Sequence, residues 1–316
     1  MNPINFLDLE QTHVFPITEW GLLVLKGEDR LRFLHNQTTN ALQLCQPGDW
    51  RETLFVTSTG RNLELATVWL DSEQVWVQVS AARRQPLLTW MDRFIFPFDK
   101  VTLSDQSSDY QGVILVGQTA ASYLEQWQLT PPTTTQWQAQ SWQGQTVWIL
   151  PTTGLDLPGF TVIYPRAAHA PLLPHWQSLP PFTPAQWETL RVYQGRPEAG
   201  KELTETYNPL ESGLWRAISF DKGCYIGQET IARVNTYKAV KQRLWRLQLA
   251  KPLPVGSEMK QEGKTVGIIT SVAPENPLIA LGYLKTSVTD VGDTIDFAGV
   301  PATVTVPPFL SHEYHS

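Results

Sequence analysis

Cysteine is scarce in this chain. Only Cys45 and Cys224 occur in 316 residues, too few for a disulfide framework, and the usage fits a reducing compartment. Long apolar runs are missing too: none approaches the ~20 residues that span a bilayer. The opening MNPINFLDLEQ has neither a basic n-region nor an apolar h-region, so a cytoplasmic protein without a membrane partner is expected. Basic surplus is the third absence. With 24 Lys plus Arg against 30 Asp plus Glu the formal net charge is −6, and no basic run supplies the cationic field that many phosphate contacts require. Six scattered histidines show no zinc spacing, so no stably bound metal is expected; His312 and His315, in the terminal SHEYHS, read as a frayed tail.

What is present argues for a folded chain of more than one domain. A hydrophobic share of 42% with 17% charge is unlike a chain held open by self-repulsion, and 316 residues exceed what one core usually organises. Trp20 to Lys26 alternates as a strand, and the Leu31, Phe33, Leu34 set after Gly27 suggests a short helix. Residues 53–58, 63–70 and 75–79 read as a meander separated by Thr59-Gly60-Arg61 and Asp71-Ser72-Glu73. Residues 81–94 look helical, with Pro86 tolerable in a first turn, and a strand follows at 100–103.

From Asp105 the composition shifts to Gln, Thr and Trp, which reads as a long surface connection holding a strand at 112–117, a helix at 120–128 and a strand at 145–150. Pro171, Pro174, Pro180, Pro181 and Pro184 suggest a rigid extended region ahead of a helix at 185–193. Beyond Lys241, short apolar runs separated by Gly and Pro have the spacing of a small antiparallel barrel. The expectation is an α+β protein in three segments: 1–104, 105–237 and a C-terminal β-barrel over 238–316.

The stretch richest in chemistry runs from Arg191 to Val234, centred on Lys222-Gly223-Cys224-Tyr225-Ile226-Gly227-Gln228-Glu229. Gly223 and Gly227 bracket a tight approach to a helix at 228–234. Cys224 would then lie just before a helix N-terminus, where positive potential favours thiolate, and Lys222 could add to it. The opposing reading is a small buried hydrophobe between Phe220 and Ile226, the commoner fate of free cysteine. Cys45, with no basic neighbour, reads as packing. Asn208-Pro209-Leu210-Glu211 reads as a turn, and Arg233, Lys238, Lys241 and Arg243 as a solvated face.

The eight residues Lys222 to Glu229 resemble the K-G-C-Y-x-G-Q-E signature of the YgfZ family, folate-binding proteins linked to iron–sulfur enzymes and related to the glycine-cleavage aminomethyltransferases. The similarity extends to Pro209-Leu210-Glu211, Gly213-Leu214, Gly27, Phe33-Leu34, Thr39-Asn40, Leu44, Gly48 and Gly60. It also reaches Val266 to Ser271, Leu281-Gly282-Tyr283 and Pro308-Phe309 in the barrel. The resemblance implies two α+β units of the aminomethyltransferase/TrmE folate-binding type plus the barrel, arranged around an opening that takes tetrahydrofolate. On that footing 1–104 is a folate-binding-type unit and 105–237 a second unit carrying the signature. The implied role is to assist assembly or repair of clusters in iron–sulfur enzymes, among them those that thiolate tRNA. Iron–sulfur enzymes or assembly factors and folate are then the partners, and direct tRNA binding is not expected.

Two departures bear on activity. Aminomethyltransferases carry paired acids after a glycine turn, whereas Gly60-Arg61-Asn62-Leu63-Glu64-Leu65 keeps at most one. They also carry a glutamate in R-x-E-x-G, where this chain has Tyr193. No classical turnover is therefore expected. The implied reactive pair is Cys224 with Lys222, and the implied folate contacts are Gly223, Tyr225, Gly227, Gln228, Glu229, Tyr193, Glu211 and Glu64. A single thiol cannot complete four-cysteine ligation, so Cys224 would ligate a cluster transiently or exchange disulfides. The alternative is a tetrahydrofolate-dependent aminomethyltransferase or other one-carbon transferase.

Overall fold

The computed structural model describes residues 9–315. Its chain forms two compact units that interleave in sequence. One holds the segment ending at Thr53 together with Ala66–Thr183; the other holds Leu54–Leu65 together with Pro184–Ser316.

The first unit begins with β1 (His13–Ile17), β2 (Gly21–Lys26) and α1 (Arg30–Gln37). The hairpin of β3 (Trp50–Val56) and β4 (Asn62–Leu70) follows, its tip counted with the other unit. Then come β5 (Gln74–Val79), α2 (Arg84–Asp92), β6 (Thr102–Asp105), β7 (Tyr110–Val116), α3 (Ala120–Gln126), β8 (Gln138–Trp142), β9 (Gln145–Leu150), β10 (Gly159–Pro165) and α4 (His169–Gln177). Two five-stranded sheets result, in the orders β3-β4-β5-β2-β6 and β1-β7-β10-β9-β8. Pro86 sits in the first turn of α2, where its missing N–H is no loss.

The proline-rich stretch is not extended. Residues 169–177 form α4 with Pro174 inside it. Proline forfeits one helical hydrogen bond, but Leu172 and Trp176, four apart and so on one helix face, both bury against the second sheet. Burying one leucine contributes ~1.5–3 kcal/mol, which offsets much of the proline's cost. Nor does the Gln/Thr/Trp-rich segment simply run over the surface. Trp137 and Trp142 are buried, and their indole N–H groups donate to the carbonyls of Leu70 (3.1 Å) and Trp127 (2.6 Å).

The second unit is built from α5 (Pro184–Gln194), α6 (Gln228–Thr236) and the strands β11 (Gln242–Leu249), β12 (Glu258–Gln261), β13 (Lys264–Val272), β14 (Ile279–Lys285), β15 (Thr294–Phe297) and β16 (Val300–Thr305). These strands pair antiparallel in the order β12-β13-β14-β11-β16-β15. The edge strands β12 and β15 approach one another, leaving a nearly closed barrel. Its interior is filled by side chains such as Trp245, Leu247, Leu284 and Phe297.

The C-terminal tail is docked, contrary to the frayed tail expected. Ser311 N–H donates to the Gly213 carbonyl at 2.9 Å, and Val240 N–H to the Tyr314 hydroxyl at 3.2 Å. His312 is buried against Trp245, with Nε2 3.0 Å from the Leu244 carbonyl. Burial there lowers the His312 pKa to about 4. Among the described residues no group of histidine, cysteine and acidic side chains is placed to hold a metal ion, and no helix is long and apolar enough to cross a membrane.

Candidate functional site

Three neighbouring pieces of the second unit hold the residues singled out by the sequence. The first is α5. Arg191 is buried on this helix, and its guanidinium reaches Glu188 (2.7 Å), Glu198 (3.3 Å), Glu202 (3.0 Å) and the Ser271 hydroxyl (2.7 Å). Glu202 is completely buried. It accepts from Arg191 and from the hydroxyls of Thr270 and Ser271, at 2.8 and 2.6 Å. The carboxylates hold the Arg191 pKa above its ordinary value despite burial. This network is satisfied on every side and clamps α5, the 196–204 turn and β13 together.

Tyr193, an expected folate contact, is 1% exposed. Its hydroxyl accepts from the Asn276 amide, and its carbonyl accepts from Arg246 at 2.9 Å. Those contacts make Tyr193 part of the packing between α5 and the barrel.

The second piece is the hairpin tip, Leu54–Leu65, against the 207–212 turn. Leu54, Val56 and Leu65 join a core with Leu210, Leu214, Tyr225 and Ile231, which is why the tip goes with this unit. Asn62 N–H donates to the Tyr207 carbonyl at 3.0 Å. Its amide nitrogen donates to Ser212 Oγ at 2.8 Å, and Ser212 in turn lies 2.6 Å from the Tyr283 hydroxyl. The Asn62 oxygen Oδ1, although buried, has no hydrogen-bond partner among the described residues.

Asn208-Pro209-Leu210-Glu211 is a reciprocal cap, and a turn as expected. Asn208 Oδ1 accepts from the Leu210 and Glu211 N–H groups (3.0 and 2.9 Å), while Glu211 Oε2 accepts from Asn208 N–H (3.0 Å). Arg61 stands 3.7 Å from the same carboxylate. Desolvation outweighs these contacts and raises the Glu211 pKa. Glu64 is likewise buried, two residues from Asn62 on the same face of β4.

The third piece is the signature loop. Gly227 adopts φ +81°, and a Cβ there would stand 2.5 Å from the Thr57 carbonyl oxygen. Only glycine permits this approach of the hairpin tip to the start of α6. Gln228 opens α6, and its side-chain amide donates to the Lys222 carbonyl at 3.3 Å, closing the loop on itself. Glu229 is exposed in the first turn, where the helix dipole favours an acid. Within the loop, Tyr225 is buried and Cys224 and Gly223 are exposed. Cys224 is thus not the core hydrophobe that its commoner fate would make it. A turn, Tyr225 to Gly227, separates it from the first residue of α6, so it does not cap the helix.

Lys222 is 9% exposed, with its amine 4.8 Å from the centre of the Tyr225 ring. Burial lowers its pKa to about 7, so near neutral pH it exchanges between amine and ammonium instead of holding a fixed charge. Cys45 is buried beside the Ala41 carbonyl, and burial raises its pKa, in keeping with packing.

The loop therefore offers one exposed thiol and one buried, readily deprotonated amine two residues apart. The hairpin tip and the 207–212 turn offer two buried carboxyls and an orphaned amide oxygen. Asn62 was not singled out from the sequence; its place in the glycine turn was the available signal, seen there only as a missing acid.

A search of family models finds no match. A protein of Arabidopsis thaliana provisionally named a chloroplastic transferase is 32% identical over 95% of this chain and 72% of its own length. Aminomethyltransferases of Desulfitobacterium hafniense and Synechococcus elongatus are each 27% identical, over 90% and 97% of this chain and 81% and 89% of theirs. In structure, the chain is similar to the glycine cleavage system aminomethyltransferase T of Bartonella henselae, with a TM-score of 0.81 over 97% of this chain and 88% of the other at 18% identity. That likeness bears on the fold alone.

Proposed function

The chain belongs to the aminomethyltransferase-like family, and from that premise we propose that it is a YgfZ-type accessory factor that presents Cys224 for assembly or repair of clusters in iron–sulfur enzymes. The observation that carries this reading is the exposure of Cys224 on a glycine-bracketed loop beside a lysine whose pKa is near 7. An exposed thiol can reach a cluster held by another protein, with the remaining ligands supplied by that partner or a small thiol. The iron–sulfur cluster is cargo in this reading. Direct tRNA binding has no support in the charge balance of −6, and we propose a cytoplasmic setting.

Tetrahydrofolate belongs to the same reading. Pterins present ring and amino N–H donors, and the buried, partnerless Asn62 Oδ1 fits as an acceptor for one of them. Asn62, Glu64 and Glu211 would hold the pterin. Bound tetrahydrofolate would supply a one-carbon carrier. The chain's own residues do the rest: Gly227 lets the hairpin tip approach α6, and Gln228 holds the loop that displays Cys224.

A second reading, a folate-dependent one-carbon transferase, draws on Glu211, a buried carboxyl whose pKa desolvation raises above its ordinary value and which would serve as the proton carrier. Assay of purified protein for aminomethyl transfer to tetrahydrofolate separates the two. The accessory reading expects no turnover from protein that binds tetrahydrofolate, together with reduced activity of an iron–sulfur tRNA-thiolating enzyme in cells lacking the chain. Turnover in vitro, or undiminished activity in those cells, would overturn it.

A further inference from the structure

The first unit contains a cavity of about 770 Å³ that the thiol and folate reading does not use. It opens where β1, the Tyr110 end of β7, the end of β10 and the start of α4 meet Ala81 and Arg84. Val14, Val113, Trp176 and Leu179 give it an apolar floor. Trp20 and Tyr164, both buried, add aromatic surface, and burial pushes the Tyr164 hydroxyl up to about 12, so it stays neutral. A volume of this size suits a small organic ligand.

The polar lining is uneven in charge. Arg84 and Arg166 both line the cavity with His169, against one acid, Glu19. Arg84 is anchored by Nε, 3.1 Å from Asp105 Oδ2, and Arg166 by Nε, which donates to the Ser108 carbonyl at 2.8 Å. No hydrogen bond among the described residues uses the terminal amino groups of either guanidinium. His169 is 3.3 Å from the Tyr164 hydroxyl. Gln111, also in the lining, has a buried Oε1 without a partner among the described residues. An unsatisfied buried acceptor in the same lining as two half-committed guanidiniums suits a ligand that brings both an anion and a donor.

We propose that this cavity binds a small aromatic carboxylate carrying an N–H group. The ring lies on the apolar floor, the carboxylate meets Arg84 and Arg166, and the N–H donates to Gln111 Oε1. The proposal is independent of the role of Cys224.

Titration calorimetry of the full chain with indole-3-acetate tests it. Saturable binding is expected, weakened about tenfold or more for indole, which lacks the carboxylate, and for the Arg84→Gln/Arg166→Gln double variant. Gln111→Leu should weaken indole-3-acetate but not 1-naphthaleneacetate, which has no N–H. Leu173→Trp, which fills the cavity and leaves the charges in place, should abolish binding, with circular dichroism showing that each variant is folded. Absence of saturable binding by folded wild type, or an affinity unchanged in the double variant or in Leu173→Trp, would overturn the proposal.

Discussion

Arg191 and the Lys222–Glu229 loop lie in one stretch of sequence and both concentrate charged residues, yet the structure uses them in opposite ways. Around Arg191 each charge has a partner of opposite sign: Glu188, Glu198 and Glu202 surround the buried guanidinium, and Lys201 pairs with Glu188 and Glu198 at the exposed side. At Lys222 burial lowers the pKa to about 7, while Cys224, two residues on, stands exposed. A matched cluster holds elements together. A buried amine whose pKa lies near 7, two residues from an exposed thiol, is where chemistry is available.

The largest effect expected from breaking this contrast is at Arg191. Arg191→Met leaves the fully buried Glu202 without its cation, Lys201 still pairing Glu188 and Glu198, and should cost about 3–5 kcal/mol, read as a lowered urea midpoint. Gly227→Ala tests the loop's backbone. Its Cβ would stand 2.5 Å from the Thr57 carbonyl at φ +81°, so a loss of about 1–3 kcal/mol is expected in the same measurement.

Two pH effects come next. Lys222 titrates near 7 when folded and near its ordinary 10.5 when unfolded. Between those values the unfolded chain holds the extra proton, so this residue's contribution to stability rises with pH across the window. Lys222→Met should therefore gain most over wild type at or below pH 7, with the gap closing toward pH 10 in melting curves. For His312, about 4 folded against 6.5, stability present above pH 6.5 is lost as pH falls toward 4. His312→Phe should flatten that acid limb.

Much of the fold was legible because it is local. The short apolar runs of β2, β4 and β5, the helix at α5 with Pro184 at its start and the Gly-separated strands of the barrel all declare themselves within a few residues. What was not legible is long-range. Leu54–Leu65 goes with Pro184–Ser316 through contacts such as Asn62 with Ser212 and Gly227 with Thr57, which no local window contains. Helix α4 was hidden by its prolines, and the burial of Trp137 and Trp142 by polar neighbours. At the site, the signature marked the loop, and the resemblance marked Tyr193 as a missing acid. Only the structure shows Tyr193 engaged with Asn276, and Asn62 buried with an oxygen to spare.

The smallest stability effect and the most direct test fall on the same residue. Cys224→Ser, at an exposed position, should change stability by no more than ~0.5 kcal/mol. Activity of an iron–sulfur tRNA-thiolating enzyme is then measured in cells lacking this chain, complemented by wild type or by Cys224→Ser at matched soluble levels. Rescue by wild type and not by Cys224→Ser is the expected result; equal rescue by both would contradict a role for the thiol.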